Sequence, residues 1–343
     1  MNCSDELVRL RQGADLDRLP RLMGLPVTTG IIRAKPTDFL VRESLAFELA
    51  GAGEHLYLLV RKTGQNTRWV AKQLAQSLNL PYRAVGYAGL KDRHAVTEQW
   101  FSLHLPGCKD PDPEVFAIDG VEVLAQHRHT GKLRVGALRG NQFRIVIRNL
   151  EGDCGELARR LSELRDGLLP NYFAAQRFGR DAGNLELFGD LQRPLKLRRE
   201  SRSFALSALR SALFNNYLAQ RITDGSLATV LPGEIVYDED RQAYRHEPEV
   251  RGQSLQPTGL LWGSGNNHAT DRALEHERRF FTPYTATTRL LENHDLRMVR
   301  RPLLLRPQQL NWQLDGQQVT VSFTLARGQF ATALLRELVM WSA

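Results

Sequence analysis

A chain of 343 residues, 42% hydrophobic and 24% charged, can bury a sizeable core in about two domains and is not a largely disordered protein. Lys and Arg total 46 against 38 Asp and Glu, and the resulting +8 favours a polyanionic partner or an anionic surface without choosing between them. The three cysteines, Cys3, Cys108 and Cys154, have neither CxxC nor Cys/His ligand spacing, which argues against a zinc site or a disulfide framework, and no apolar run approaches bilayer length.

In chain order, residues 38–45 carry Phe39, Val41 and Leu45 in strand alternation, and 54–60 has the apolar and aromatic bias of a buried strand. Asn66-Thr67 offers a cap for a helix with Val70, Leu74 and Leu78 at one-turn spacing. A glycine-interrupted strand over 85–92 ends in charge, and 99–105 resumes strand. Two basic strands, 132–138 and 142–150, joined by Arg139-Gly140-Asn141, read as a hairpin. Leu157, Leu161 and Leu164 share one face of a helix between 153 and 168. Leu206, Leu209, Leu213 and Tyr217 mark 203–222 as the clearest amphipathic helix. The following stretch is polar and irregular, with turn residues at Pro232-Gly233 and Gly263 to Asn267. A strand over 318–325, Gly328 and a helix over 330–341 close the chain. The alternation predicts an α/β (α+β) architecture interrupted by a helix-led segment. The first ten residues lack the apolar core and cleavage site of a secretory leader, so a soluble cytoplasmic protein is expected.

The passage from Tyr87 to Gln99 is the most informative for chemistry. Glycines at a strand end let the backbone approach a ligand closely, and the charged residues after them project from a loop on a rigid support. Asp92 is flanked by Lys91 and Arg93, which favours its ionised form and suits a nucleophile or base rather than an acid. A solvated turn with a local ion pair accounts for the same spacing equally well. No paired carboxylates or His pairs mark a metal site, and no phosphate loop or GxGxxG motif is present.

Several blocks resemble the tRNA pseudouridine synthase D (TruD) family. They are Gly89-Leu90-Lys91-Asp92 with its flanks, Arg33 to Val41, Gly51 to His55 with Asn66-Thr67-Arg68, and Gly140-Asn141-Gln142-Phe143. Asn171 to Gly179, Pro257 to Gly263 and Arg327 to Thr332 complete the set, in family order from about residue 30 onward. Leu260 stands where the family often has proline. The resemblance implies a pseudouridine-synthase-type catalytic domain with a mixed, largely antiparallel sheet and flanking helices. That domain takes in 1–166 together with 305–343, and an inserted TRUD-type α/β domain takes in 167–304. It makes Asp92 the catalytic carboxylate and sets Phe39, Asn141 and Phe330 around the target nucleotide, with Phe143 nearby. Arg33 or Lys35 fills the family's basic position, spacing favouring Arg33; Arg33, Lys35 and Lys91 all stand as partners for Asp92.

The implied activity is isomerisation of a uridine, at position 13, in tRNA by a monomer that needs no cofactor and no metal and does not engage a membrane. The uridine must leave its stack, and an aromatic face then replaces the lost stacking. Taken singly, Phe39 and Phe143 sit in alternating strands where most phenylalanines simply pack, whereas Phe330 starts a helix after Gly328, where a side chain can face a cleft. Asn141 offers the donor and acceptor that match the uracil O4/N3–H edge, though Gly-Asn is also good turn chemistry. Two arginine groups are read as a phosphate track: Arg128, Arg134, Arg139, Arg144 and Arg148, and Arg278, Arg279, Arg297, Arg300 and Arg301. Two other readings stand beside the synthase. One is a non-catalytic RNA-binding protein that does not need Asp92; the other is a glycoside or nucleoside hydrolase drawing a second carboxylate from Glu43 or Glu54.

Overall fold

The alternating segments near the start of the chain become strands of one ten-stranded mixed sheet in the computed structural model. The structure describes residues 3–188, 191, 197–246 and 255–342. By internal packing the chain falls into two units: Pro26–Gly167 with Pro307–Gly328 and Leu338–Ala343, and Met1–Leu25 with Leu168–Arg306 and Gln329–Glu337. The mixed α/β character expected of the chain is present.

The large sheet belongs to the first unit. Its strands are β1 (Thr29–Ile32), β2 (Phe39–Leu45), β3 (His55–Thr63), β4 (Val85–Tyr87) and β5 (Val96–His104). They continue with β6 (Val121–His129), β7 (Leu138–Glu151), β8 (Gln308–Asp315), β9 (Gln318–Ala326) and β10 (Met340–Ser342). The order in space is β8-β9-β7-β2-β5-β3-β6, with β1 beside β7 and β10 and with β4 beside β5. β2–β5 and β1–β10 pair parallel, and the other pairs are antiparallel. The helix Thr67–Ser77 lays Val70, Ala71 and Leu74 against Leu56, Leu58, Val60, Phe101 and Leu103, forming a core cluster on one face of the sheet.

The hairpin expected at 139–141 does not form. Residues 132–137 are not strand, and β7 runs unbroken through Arg139-Gly140-Asn141. Both neighbours hold it there: Asn141 pairs with Glu43 of β2 on one side and Leu325 of β9 on the other. Gly140 is needed for close approach rather than for turning, since a Cβ on it would sit 2.2 Å from the Leu325 carbonyl oxygen. Pairing on both edges over a 14-residue strand outweighs local turn propensity.

The second unit is built on the 25-residue helix Arg199–Thr223, whose Leu206, Leu209, Leu213 and Tyr217 are buried as its periodicity predicts. The helix Cys3–Ala14 packs along it, and Asn215 Nδ2 donates to the carbonyls of Gly13 (2.8 Å) and Phe173 (2.9 Å). The stretch read as irregular contains two helices, Asp271–Phe281 and Thr285–Glu292. The second is capped from afar: the buried Glu6 carboxylate accepts from the Ala286 and Thr287 amides at 3.0 and 2.9 Å. The closing segment is shorter than expected as a helix, Ala331–Leu338, because its last residues pair as β10 with β1.

Candidate active site

Strand phase places polar side chains where apolar ones would pack. In β2, Glu43 follows Phe39 and Val41 onto one face; in β3, Lys62 follows Leu58 and Val60; in β5, Thr97 and Gln99 precede Phe101. The register joins them, with Glu43 opposite Asn141, Val41 opposite Phe143 and Thr97, and Lys62 opposite Thr97. All four polar residues are buried. Such groups persist in a core only when they are paired, so their partners define what this end of the sheet does.

Three of them, Glu43, Lys62 and Gln99, hold the loop between β4 and β5. Lys62 Nζ donates to the carbonyls of Asp92 (2.9 Å) and Gln65 (2.8 Å). Gln99 Nε2 donates to the Gly89 carbonyl at 2.6 Å, and Thr67 Oγ1 accepts from the Lys91 amide at 3.0 Å while donating to Gln99 Oε1 at 2.9 Å. Lys91 Nζ pairs with Glu43 Oε1, and the Trp100 amide donates to Glu43 Oε2 at 3.0 Å. Burial pulls the Lys62 amine down to about 8, opposed by the attraction of Asp92. Burial pushes the Glu43 carboxyl up, opposed chiefly by Lys91.

The Asp92 carboxylate is left facing Arg33. The ion pair spans 3.0 Å from Nη2 to Oδ2, with the two side chains 20% and 27% exposed, so both are partly shielded yet reachable. Asp92 Oδ1 accepts from the His94 amide at 3.0 Å. Neither flanking cation serves the carboxylate: Lys91 goes to Glu43, and Arg93 Nε donates to the Gly64 carbonyl at 2.8 Å. Lys35 is exposed. Of the three partners left open by the sequence, Arg33 is the one that meets Asp92.

Arg33 itself is held in an unusual way. Its φ is +59°, in the left-handed region that costs an L-residue roughly 1–2 kcal/mol. The guanidinium lies 4.5 Å from the Phe39 ring centroid, close enough for a cation–π contact. Phe39 meets Phe143 edge to face at 6.3 Å, and Phe143 stacks on Phe323 at 5.3 Å. Strain of this kind gathers at functional sites. Two buried acceptors nearby, Asn141 Oδ1 and Thr97 Oγ1, have no hydrogen-bond partner among the described residues.

The sequence-predicted residues thus divide. Arg33, Phe39, Asn141, Phe143 and Asp92 all belong to the large-sheet unit, linked by the contacts and register above. Phe330 belongs to the other unit, half-buried with its ring 5.9 Å from that of Phe173. Lys62, Thr67 and Gln99 were missed. Their signal was available, because Lys62 and Gln99 are polar residues in the buried phase of apolar strands. Glu43 is spent on Lys91 and Trp100, and Glu54 is 67% exposed beside His104, so neither offers Asp92 a free, shielded second carboxylate. Several arginines of the expected phosphate track are committed inside the protein. Arg128 binds Asp110, Arg148 forks onto Asp38, Arg300 binds Glu277, and buried Arg301 donates to Asn171.

Known proteins resemble this chain over most of its length. The family model for tRNA pseudouridine synthase D (TruD) matches residues 17–192 and 191–338. The chain is 42% identical over 333 residues to the tRNA pseudouridine synthase D of Aeromonas salmonicida, covering 94% of each. It is 40% identical over 336 residues to that of Pectobacterium atrosepticum, covering 94% of this chain and 96% of the other. A structure from Methanosarcina mazei described as a tRNA pseudouridine synthase D (TruD) superposes with a TM-score of 0.67 at 19% identity. It covers 93% of this chain and 95% of that one, which speaks for a shared fold. These matches define an enzyme of the pseudouridine synthase class, an isomerase. The chain belongs to the tRNA pseudouridine synthase D (TruD) family.

Proposed function

We propose that this chain converts a uridine of tRNA, at position 13 by family resemblance, to pseudouridine, with Asp92 as the catalytic carboxylate. Residues 1–166 with 305–343, which include the large sheet, are then the pseudouridine-synthase-type catalytic domain, and 167–304 is the inserted domain. The observation that carries the reading is the partly shielded Asp92–Arg33 pair beside Phe39, with the Asn141 Oδ1 acceptor left open.

In the reaction the N1–C1′ bond breaks, the base turns, C5 bonds to C1′, and the hydrogen at C5 is replaced by one at N1. Nothing is oxidised and no water is consumed. Attack by a carboxylate and removal of a ribose proton both require an ionised group, and the Arg33 guanidinium pairs with the carboxylate at 3.0 Å. Lys62 and Gln99 fix the loop, so the carboxylate is positioned before substrate arrives. The everted uracil presents N3–H, a donor, to Asn141 Oδ1, an acceptor with no partner among the described residues. Phe39 and Phe143 supply the apolar surface that replaces lost stacking, worth roughly 1–3 kcal/mol per base. Phe330 rests on the family resemblance alone.

Purified protein incubated with an unmodified tRNA transcript is expected to yield one pseudouridine with no change in mass. Release of free uracil would instead support the hydrolase reading, and binding without any product would support the non-catalytic one.

A further inference from the structure

The second unit contains a cavity of about 310 Å³ that is strongly basic. Arg177, Arg199, Arg202 and Arg210 line it together with His294, and no Asp or Glu is on its wall among the described residues. Ser203 and Ser207 add hydroxyl groups. Some buried guanidiniums elsewhere in this unit are matched by carboxylates, as in Arg221 with Glu234 and Arg300 with Glu277. Here the visible partners are neutral. Arg177 Nε donates to Ser211 Oγ at 3.2 Å, Arg210 Nη2 donates to the Leu261 and Arg297 carbonyls, and Arg210 Nε is buried with no hydrogen-bond partner among the described residues. Burial, and after it the neighbouring charge of Arg177, pulls Arg210 down to about 10. Like charges gathered on one wall without a counter-charge are relieved by an anion.

We propose that this cavity is a phosphate site that seats a backbone phosphate of the RNA substrate, with Arg199 and Arg202 as its accessible cations and Arg177 and Arg210 as its fixed base. The proposal rests on the tRNA reading above, and it concerns binding rather than chemistry. RNA is favoured over a free anion by what adjoins the cavity. Phe173 lines it, with the guanidiniums of Arg301 and Arg177 4.1 and 5.3 Å from its ring centroid, and the same ring meets that of Phe330 at 5.9 Å. A phosphate held here therefore lies one ring away from an aromatic that the family resemblance assigns to the target nucleotide.

The test is the double substitution Arg199→Ala/Arg202→Ala. Among the described residues neither side chain makes a hydrogen bond or ion pair, so loss of structure is not expected. The affinity for tRNA is expected to fall about tenfold at low salt, and the slope of log affinity against log salt to shrink by about 1–2. KM for tRNA rises while kcat stays within about twofold. Arg199→Lys/Arg202→Lys keeps both charges and is expected to recover most of the salt slope. Unchanged affinity and salt slope in the alanine protein would overturn the proposal, as would a fall in kcat with KM unmoved. Titration with inorganic phosphate separates the two sources: phosphate binding lost in the variant while tRNA affinity is untouched marks a free-anion site and also overturns it. A wild-type protein that binds tRNA but makes no pseudouridine would sink the synthase reading and leave these affinity measurements intact.

Discussion

Arg33 reaches Asp92 at 3.0 Å from a backbone held at φ +59°, so the ion pair at the site is made by a residue in a conformation that most side chains avoid. The pair joins two loops that the sequence keeps 59 positions apart (92 − 33 = 59), and it replaces the local pairing with Lys91 or Arg93 that proximity suggests.

Arg33→Gly separates the stability of this arrangement from its use. Glycine adopts positive φ without steric cost, so part of the roughly 1–2 kcal/mol of strain is relieved. Loss of the guanidinium should lower kcat by about a hundredfold or more. Denaturant midpoints alongside single-turnover rates check both halves. A protein that is no less stable but nearly inactive is the expected outcome.

Lys62→Met removes a donor to the Asp92 and Gln65 carbonyls while keeping an unbranched side chain at a fully buried position. The loop should loosen, lowering kcat more than tRNA affinity. Stability carries a second signature. The folded chain holds the Lys62 amine near 8 against an ordinary 10.5, so the unfolded chain binds more protons between those values and stability rises with pH across that window. Urea midpoints at about pH 7.5 and about pH 9.5 should show that rise in the parent chain and a flatter response in Lys62→Met.

Asn141→Ala removes an acceptor that has no partner among the described residues, so the folded state should lose little. Turnover should fall roughly tenfold to a hundredfold, the worth of about 1–3 kcal/mol at a base edge. Whole-tRNA affinity should change far less. Equal losses in rate and affinity would remove the edge-reading role.

Gly140→Ala tests the central strand rather than the chemistry. Its new Cβ would meet the Leu325 carbonyl oxygen at 2.2 Å, forcing β7 and β9 apart. A destabilisation of about 1–3 kcal/mol is expected, measurable by thermal or urea unfolding. No loss would mean that the approach of these strands is looser than described.

Much of this organisation was legible from residue pattern. Leu206, Leu209, Leu213 and Tyr217 identified the long helix because one apolar stripe at helical period suffices for that inference. The family blocks from Arg33 to Thr332 led to the right family. Gly140-Asn141 misled, because turn propensity is local whereas its outcome was decided by strands nearly a hundred and nearly two hundred residues away. The helices Asp271–Phe281 and Thr285–Glu292 hid in polar sequence, and the second is capped by Glu6 from the far end of the chain. At the site, the phase of Lys62 and Gln99 gave a usable signal. The basic cavity of the second unit gave none, since Arg177, Arg199, Arg202 and Arg210 converge only after folding.

The most direct test of the whole account is Asp92→Asn, which keeps the shape of the side chain and removes its charge. The measurement is pseudouridine formed in an unmodified tRNA transcript, taken together with tRNA affinity. The account predicts a rate lower by at least about a hundredfold with affinity within about twofold of the parent. An Asp92→Asn protein that forms pseudouridine at the parent rate would contradict it.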